Sequence, residues 1–230
     1  MSRGLIIAVD GPAGAGKSSS SRLLAERLGY RYIDTGALYR AVGLLALEQN
    51  VDAEDQAAVV ALCDQLDLRF VSGPAGPRLL LGDRDITSEI RRPEVSQMAS
   101  KVSAQQGVRQ RLLTLQRELG KGGGVVMEGR DIGTVVFPDA DIKFYLDASP
   151  EERGRRRYAE LQAQERAESL AATMREMAER DQRDSTRAHA PLQRAVDAVV
   201  VDTTALTLEE VVETLLRRVR AVQDRGYPIA

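Results

Sequence analysis

The sequence predicts an α/β fold in which helices cover both faces of a parallel sheet. Short apolar runs, which are typical of buried strands, alternate along most of the chain with longer segments in which leucine and valine have helical spacing. A glycine-rich loop at residues 11–18 also joins the first apolar run directly to the first helix. This order of strand, loop and helix is expected where an α/β sheet presents its ligand-binding edge.

Five apolar segments are the expected strands of this sheet. The first, at residues 5–10, is a continuous apolar run ended by an aspartate, which indicates a strand buried on both faces. The other four lie at 30–34, 125–129, 142–146 and 198–202. Helices are expected at 17–28, 37–50, 54–66, 93–119, 150–183 and 207–223, with breaks near Gly107 and within the fifth helix. Capping boxes at 149–152 and 207–210 mark the starts of the last two.

One part of the chain departs from this alternation. Residues 68–71 and 78–81 form short apolar segments on either side of the glycine- and proline-rich stretch 72–77. A turn at Gly82 then leads into another extended segment at 84–87. The pattern indicates a small antiparallel meander. Because it interrupts the alternating strands and helices, we expect it to be a β insert on the core.

Composition excludes several classes of function. The 32 Lys and Arg residues face 34 Asp and Glu residues, and the net charge of −2 gives no electrostatic reason to expect nucleic-acid binding. No apolar run approaches the roughly 18 residues of a membrane span, and the N-terminus leaves no room for a signal peptide. The one cysteine, Cys63, excludes an internal disulfide and a cysteine-based metal site. A cytoplasmic protein is expected.

The loop after the first strand is the most specific motif in the chain. It has the sequence Gly11-Pro12-Ala13-Gly14-Ala15-Gly16-Lys17-Ser18, which fits G-x-x-x-x-G-K-[ST] at every position. Glycines allow backbone N–H groups to turn inward around a phosphate, and the helix N-terminus adds partial positive charge. Lys17 is expected to reach the β- and γ-phosphates, and Ser18 to offer its hydroxyl to Mg²⁺. The motif predicts a P-loop NTPase that binds a nucleoside triphosphate with Mg²⁺.

Two further motifs follow predicted strands and are expected at the same edge of the sheet. The segment 34–40 ends with Arg40 in the first turns of the next helix, where its side chain could bind an anionic second substrate or face solvent. The segment 128–134 carries Arg130, which can clamp a phosphate, and Asp131, which can hold Mg²⁺ through water. A turn stabilised by a local ion pair is the alternative for that pair.

Other carboxylates leave the metal side of the site open. Asp147 and Asp202 also end apolar strands, so the residue that corresponds to the second acidic motif of P-loop proteins is ambiguous.

A basic run lies between Asp147 and Asp202, in which Arg153, Arg156 and Arg157 share one helical face. These arginines could close over phosphates as a flap, or they could form a solvated face paired with neighbouring glutamates.

A third group of charges lies near the end of the fifth helix. Arg180, Asp184 and Arg187 have i, i+4, i+7 spacing, so they line one face if the helix persists that far. A self-satisfied salt-bridge ladder is one interpretation of this spacing, and a substrate contact is the other. His189, the only histidine, follows without a nearby nucleophile pattern, so we assign it no catalytic role.

Together these motifs resemble those of the bacterial cytidylate kinases, within the nucleoside monophosphate kinase family. The resemblance rests on residues 10–17, Asp34-Thr35-Gly36-Ala37-Leu38-Tyr39-Arg40, Ala99-Ser100-Lys101-Val102, 129–138 and 180–191. It covers essentially the whole chain, and the β insert resembles the enlarged monophosphate-binding region of that family. The resemblance implies transfer of the γ-phosphoryl group of ATP to CMP or dCMP, with Mg²⁺ bound to the ATP.

The resemblance also implies roles for individual residues. ATP is expected at Gly11, Pro12, Ala13, Gly14, Ala15, Gly16, Lys17, Ser18 and Ser19. CMP is expected at Asp34, Thr35, Arg40, Ser100, Arg109, Arg130, Arg180, Asp184 and Arg187. The expected catalytic residues are Lys17, Arg130, Asp131, Arg156 and Arg157, and the expected metal ligand is Ser18. Because the strand before Gly129 ends in Glu128, the metal-side carboxylate is open between Glu128 and Asp131.

The implied domain organisation is a single kinase chain of 230 residues. Its expected parts are a core at 1–36, 105–150 and 188–230, a monophosphate-binding region at 37–104 with the β insert at about 68–90, and a short lid at 151–165. The expected partners are ATP, CMP and dCMP, with no nucleic acid and no membrane, and the chain is expected to be a monomer.

Phosphoryl transfer needs positioning and charge neutralisation more than covalent help. The acceptor is a phosphate oxygen already ionised near pH 7, so the absence of a strong general base from the motifs agrees with this chemistry. A P-loop kinase for adenylate, guanylate or shikimate is an alternative. A GTPase-type switch would need an Asn-Lys-x-Asp motif, which the sequence lacks. A nucleic-acid-binding ATPase that uses the arginine run is disfavoured by the acidic balance.

Overall fold

Strands and helices alternate along the chain, and a small antiparallel sheet interrupts them once. The structure is a computed structural model that describes residues 4–73, 76–163 and 169–224, apart from the side chain of Ser72. The elements in chain order are β1 (Ile6–Asp10), α1 (Lys17–Leu28), β2 (Arg31–Asp34), α2 (Thr35–Glu48), α3 (Gln56–Cys63), β3 (Leu68–Gly73), β4 (Gly76–Leu81), β5 (Arg84–Asp85), α4 (Pro93–Val102), α5 (Gln106–Gly120), β6 (Val125–Glu128), β7 (Ile142–Asp147), α6 (Pro150–Ala163), α7 (Leu170–Thr186), β8 (Val199–Asp202) and α8 (Leu208–Asp224). Pro74 and Ala75 of the predicted insert, and residues 164 and 165 of the predicted lid, lie outside the described residues.

The chain forms two compact units. The first contains the described residues of Met1–Tyr32, Gly122–Thr186 and Ala190–Ala230, and the second contains those of Ile33–Lys121 with Arg187–His189. The phosphate loop therefore belongs to the first unit, and the β insert belongs to the second. The functional division into core, monophosphate-binding region and lid stays a prediction.

The central sheet has five parallel strands in the order β2-β6-β1-β7-β8. Ile7 of β1 pairs with Val126 on one side and with Ile142 on the other. All five side chains of β1 are buried, as expected for a strand with a neighbour at each edge and helices over its faces. The predicted α/β fold is confirmed, and β1 ends at Asp10, directly before the phosphate loop.

An apolar cluster forms the core of the first unit. Ile7, Val9 and Phe144 of the sheet pack together with Leu24 of α1 and Leu215 of α8. Full burial of one such side chain contributes about 1.5–3 kcal/mol, so this cluster stabilises the sheet from which the phosphate loop emerges. No helix in the described ranges is both long enough and apolar enough to cross a membrane.

The β insert of the second unit is an antiparallel sheet in the order β3-β4-β5. This confirms the predicted meander, but β5 has two residues where the sequence predicts a strand at 84–87. The ladder ends early because the Leu79 N–H donates to the Thr87 hydroxyl, at 2.9 Å, in place of a backbone carbonyl. Thr87 N in turn donates to Asp85 Oδ1 at 3.0 Å, which closes a side-chain turn.

The predicted helix at 93–119 is two helices, and its break lies earlier than expected. One helix ends at Val102 and the next begins at Gln106, so Gly107 lies in the first turn of α5 and not at the break. Packing requires the glycine there, since a Cβ would lie 2.6 Å from Cγ2 of Val60 on α3. Gly107 therefore allows close packing of α5 on α3, although a glycine within a helical pattern usually suggests a helix break.

The predicted helix ends are confirmed where the caps are local. Glu152 N donates to Ser149 Oγ at 3.2 Å at the start of α6. At the start of α8, Glu210 N donates to Thr207 Oγ1 at 3.3 Å and Thr207 N donates to Glu210 Oε2 at 2.8 Å. Gly29 ends α1 in the left-handed conformation, with φ of 66°. These signals are read correctly from sequence because all their atoms lie within a few residues of one another.

Replacing Leu44 with alanine should destabilise the second unit, because this side chain of α2 is fully buried in the apolar cluster of that unit. Loss of a buried leucine costs about 2–5 kcal/mol, including the cavity that remains. Leu47→Ala is the matched control on the same helix, where the side chain is only partly buried, and it should cost clearly less. Urea unfolding measures both free energies, and equal losses would contradict the core position of Leu44.

Candidate active site

The phosphate loop runs from the end of β1 to Lys17, the first residue of α1. Gly11 and Gly14 adopt φ values of 145° and 75°, which side chains other than glycine rarely tolerate. A Cβ at Gly11 would lie 2.0 Å from the carbonyl oxygen of Leu146, so no larger residue fits between the loop and β7. The N-terminus of α1 adds partial positive charge that favours an anion. The loop therefore has the geometry that its motif predicts.

Lys17 is buried, with 6% of its surface exposed. Its Nζ donates to the carbonyl oxygen of Pro12 at 2.6 Å. Burial, followed by the charges of Arg130 and Arg180, lowers the pKa of Lys17 to about 7, while the carboxylate of Glu128 opposes this change. An anionic phosphate beside the ammonium would favour its charged form. Lys17 therefore lies where it can hold a phosphate once one is bound.

Asp10 is a buried carboxylate that the sequence motifs left without a role. Its two oxygens accept hydrogen bonds from Ile132 N at 2.9 Å and from Gly133 N at 2.8 Å. Burial, with help from the charge of Asp131, raises the pKa of Asp10 to about 6, although the two N–H groups lower it. Asp10 thus joins the end of β1 to the π-helical turn Ile132–Val136. A polar residue that ends a fully apolar strand is the signal that could have identified it.

Two predicted acceptor-side arginines of the first unit lie beside the carboxylate of a third predicted residue, Asp184. Arg130 Nε donates to Asp184 Oδ2 at 3.0 Å, and Arg180 Nε lies 4.0 Å from the same oxygen. Burial by itself would lower the pKa of Arg130, but Asp184 raises it, so the guanidinium stays charged. The Arg180–Asp184 contact is the ladder that the helical spacing predicts. α7 ends at Thr186, so the helix does not persist to Arg187, which belongs to the second unit.

The second unit contains the predicted residues that follow β2. Asp34 caps α2, because its Oδ1 accepts a hydrogen bond from Ala37 N at 3.2 Å. Its other oxygen pairs with Arg40 Nη2, so one carboxylate serves the helix start and holds the arginine side chain. Thr35, the first residue of α2, is buried. Arg40 is therefore a partly buried cation held at the carboxyl end of a strand.

Ser100 and Arg109, the predicted base contacts, lie close together in the second unit. Both residues are buried. Arg109 Nη1 donates to the Ser103 carbonyl oxygen at 3.1 Å, and Ser103 Oγ donates to the Ser100 carbonyl oxygen at 3.0 Å. The guanidinium also lies over the ring of Tyr39, 5.4 Å from its centroid, in a cation–π contact. Arg109 is thus oriented by an aromatic ring and by the end of α4.

The first arginine of the basic run is a buried clamp. Arg153 Nε donates to the Ala148 carbonyl oxygen at 3.0 Å, and its Nη1 donates to the Ala13 carbonyl oxygen at 3.1 Å. The same Nη1 pairs with Asp181 of α7. Arg153 therefore holds the phosphate loop, the start of α6 and the middle of α7 together, and its side chain is not part of a solvated face.

The other two arginines of this helical face differ from the first and from each other. Arg156 is half-buried, and its Nε pairs with Glu152 at 3.0 Å while its other nitrogens contact Thr203. Arg157 is half-buried as well, and it pairs at 3.0 Å with Glu160, which is exposed. Arg156 therefore has one of the glutamate partners expected of a solvated face, Glu152, but it also contacts Thr203. Closure of these arginines over phosphates stays a prediction.

The carboxylates at the strand ends fall into two groups. Asp147 and Asp202 are exposed, and they accept hydrogen bonds from Ala148 N at 2.8 Å and from Thr204 N at 2.9 Å. They therefore stabilise local turns. Glu128 and Asp131 are buried at the carboxyl end of β6 and just beyond it. These two remain the carboxylates of the candidate metal side.

The donor set of the site fits a magnesium ion that is carried by ATP. Within the described ranges, no group of three or more His, Cys, Asp or Glu side chains could enclose a metal ion. Mg²⁺ commonly uses only one or two protein ligands together with phosphates and water. Ser18 is exposed at the start of α1, where its hydroxyl can reach a metal bound to phosphates of the loop. The protein residues thus suit a shared ion better than a dedicated metal cage.

Sequence motifs also missed residues that hold the site side chains. The Tyr32 phenol donates to Glu128 Oε1 across neighbouring strands. Asp181 lies inside a recognised motif but carries no periodic signal of its own. Thr203 directly follows the last strand, and this position at a strand end is the signal that could have identified it. In each case the partner is distant in sequence, so no local spacing reveals the contact.

Comparison with known proteins identifies the family. A family model described as cytidylate kinase matches residues 7–221. The chain is 52% identical over 226 residues to a cytidylate kinase from Geobacter sp. (strain M21), covering 97% of each chain. It is 51% identical over 226 residues to a cytidylate kinase from Geobacter sulfurreducens (strain ATCC 51573 / DSM 12127 / PCA), covering 98% of this chain and 97% of that one.

A solved structure of an uncharacterized protein from Eubacterium ventriosum ATCC 27560 is similar with a TM-score of 0.53 at 11% identity, covering 94% of this chain and 98% of that one. This likeness concerns the fold alone. The family model spans nearly all of the chain, and the two Geobacter proteins match it from end to end. With the phosphate loop, the buried lysine and the arginine–aspartate pairs described above, the conclusion is that the chain belongs to the cytidylate kinase family.

Proposed function

We propose that this chain transfers the γ-phosphoryl group of ATP to CMP or dCMP, giving ADP and CDP or dCDP. The observation that carries the proposal is the full-length identity of about half with proteins named cytidylate kinase. The reaction brings two anionic substrates together, so several cations are needed to offset their repulsion. The buried Lys17 and the Arg130–Asp184 pair supply such cations within one unit.

On the donor side, residues 11–19 hold ATP. Backbone N–H groups of the loop and of the first turn of α1 surround the β-phosphate, while Lys17 contacts the oxygens that gain charge during transfer. Arg156 and Arg157 lie on α6 and act on the same phosphates. Arg156 already lies beside the loop, since a Cβ at Gly16 would be 3.6 Å from its Nη1. Arg157 must first leave its exposed partner, Glu160.

On the acceptor side, three arginines hold the phosphate of CMP, namely Arg40, Arg130 and Arg180. Each already has a carboxylate partner, which holds the guanidinium in place until the phosphate competes for it. The start of α2, with Asp34 and Thr35, borders this phosphate. Cytosine is read by Ser100, Arg109 and Asp184, and Arg187 reaches toward the sugar.

Magnesium accompanies ATP in this proposal. Ser18 offers its hydroxyl to the ion, and the ion offsets phosphate charge during transfer. Glu128 accepts a hydrogen bond from Tyr32, and its negative charge raises the pKa of Lys17, whereas Asp131 raises the pKa of Asp10 at the base of the phosphate loop. We therefore assign the metal-side role to Asp131, acting through water, and a role in holding Lys17 to Glu128.

Lys17→Ala should nearly abolish turnover without unfolding the protein. The variant loses a charged contact that strengthens in the transition state, and removal of one such preorganised donor costs about 3–4 kcal/mol. A coupled assay of ADP formation with CMP measures the loss. Lys121→Ala is the control, because that lysine is exposed and pairs with Glu118. Turnover of Lys17→Ala within threefold of the parent would remove Lys17 from the reaction.

CMP and dCMP should be used far better than UMP, AMP or GMP. The Asp184 carboxylate can accept a hydrogen bond from the exocyclic amino group of cytosine. Uracil has a carbonyl at that position, so the buried charge would be left unpaired. This should cost UMP about tenfold to a few hundredfold in kcat/KM. Purines should fail on size as well.

Asp184→Ala tests this assignment. It should reduce the difference in kcat/KM between CMP and UMP, mainly by lowering the value for CMP. The carboxylate also pairs with Arg130 and Arg180. Equal losses for both nucleotides would therefore show that Asp184 only orients those arginines. Ratios of kcat/KM for the two nucleotides, measured on one preparation, make the comparison independent of the active fraction.

Chelation of divalent cations should abolish turnover, and added Mg²⁺ should restore it. Ser18→Ala should then require a higher Mg²⁺ concentration for half-maximal rate at fixed ATP, because the ion loses a protein ligand. A Mg²⁺ titration of the parent and the variant measures the shift. An unchanged Mg²⁺ requirement in the variant would exclude the Ser18 hydroxyl as a ligand.

A further inference from the structure

Thr203 is a buried residue that no motif of the chain includes. It directly follows β8 and is 1% exposed. Its backbone N–H donates to the carbonyl oxygen of Asp147 at 2.7 Å, which joins the residue to the end of β7. Thr203 thus lies at the carboxyl edge of the sheet, where the phosphate loop also begins.

The hydroxyl of Thr203 connects two parts of the donor side. It donates to the carbonyl oxygen of Ala15, in the phosphate loop, at 3.1 Å. It accepts from Arg156 Nη1 at 3.0 Å. An arginine has no acceptor, so the single hydroxyl hydrogen is committed to Ala15, and the direction of the two bonds is fixed. Arg156, Thr203 and the loop therefore form one oriented chain of hydrogen bonds.

The guanidinium of Arg156 is held at each of its nitrogens. Nη2 donates to the carbonyl oxygen of Thr203 at 2.6 Å, and Nε pairs with Glu152 at 3.0 Å. Two of the three contacts are therefore made to one residue, which fixes the plane of the guanidinium as well as its position. The plane lies against the loop, because a Cβ at Gly16 would be 3.6 Å from Arg156 Nη1.

We propose that Thr203 is a positioning residue for the donor nucleotide, which holds the Arg156 guanidinium and the phosphate loop in register with each other. Thr203 contacts no reacting atom in this assignment. It keeps the positively charged guanidinium of Arg156 beside the loop, so this side chain does not have to be immobilised when ATP binds. The inference rests on the proposed role of Arg156 toward the phosphates of ATP.

Thr203→Val tests the inference, because valine keeps the shape of threonine and replaces its hydroxyl with a methyl group that cannot form hydrogen bonds. The carbonyl oxygen of Ala15 then loses its donor and Arg156 loses one acceptor, so KM for ATP should rise about 5- to 20-fold. KM for CMP should stay within about twofold, since the hydroxyl of Thr203 bonds to Ala15 and Arg156, which are both on the donor side. Thr203→Ser, which keeps the hydroxyl, should restore the parent value. Thr214→Val is the matched control on α8, where the hydroxyl is exposed and bonds only locally.

Arg156→Ala and the double variant complete the experiment. The two single changes should be non-additive in their effect on KM for ATP, because they break the same connection. A purely structural role would instead lower the melting temperature and change both KM values together. Parent-like KM for ATP in Thr203→Val, or full additivity with Arg156→Ala, would overturn the inference.

Arg156→Lys keeps the inference testable if Thr203→Val does not fold. Lysine retains the charge but cannot make both contacts to Thr203, so this variant should resemble Arg156→Ala in KM for ATP. A parent-like value for Arg156→Lys would overturn the positioning role. A parent-like value for Arg156→Ala would show that the proposed donor-side role of Arg156 is wrong, and the inference would fall with it.

Discussion

The site depends on keeping a lysine ammonium charged although it is buried and other cations lie near it. Burial and the arginines Arg130 and Arg180 act against the charge of Lys17, while Glu128 and Asp10 support it. The loop itself contributes, because the Pro12 carbonyl oxygen accepts from the ammonium. Without ATP, the surroundings of Lys17 contain effects that favour its ammonium form and effects that oppose it. The triphosphate adds negative charge, which favours the ammonium form. Binding of ATP and protonation of Lys17 are therefore linked, since the bound phosphate favours the charged lysine.

The parts of the fold that could be predicted from sequence are those with local signals. The strand–loop–helix unit, the capping boxes and Gly29 all lie within segments of a few residues, and each is found as predicted. The role of Asp10 could not be predicted, because its partners Ile132 and Gly133 lie more than 120 positions away. The break expected near Gly107 lies just before it, between Val102 and Gln106. The close contact that requires a glycine at 107, with Val60, exists only in the folded chain and has no local signal.

The basic run shows a second limit of sequence patterns. Three arginines with helical spacing look equivalent, but Arg153 is buried, whereas Arg156 and Arg157 are both half-buried. The last two differ in their partners, since Arg156 contacts Thr203 and Arg157 pairs with the exposed Glu160. Depth and partners depend on what α6 packs against, which periodicity does not encode. In contrast, the Arg180–Asp184 pair follows directly from helix geometry, and only the third partner, Arg130, required the fold to bring it there.

The clamp formed by Arg153 fixes the start of α6 to its surroundings. Its guanidinium is fixed to the backbone before the helix, to the loop carbonyl of Ala13 and to Asp181, so its displacement would break three contacts at once. The first turn of α6 is consequently tied to the phosphate loop and to α7, while Arg156, three residues further on, ties the next turn to Thr203. Gly154, between the two arginines, packs closely on Met174. The orientation of α6 is therefore fixed at two successive turns, by the loop and by the carboxyl edge of the sheet.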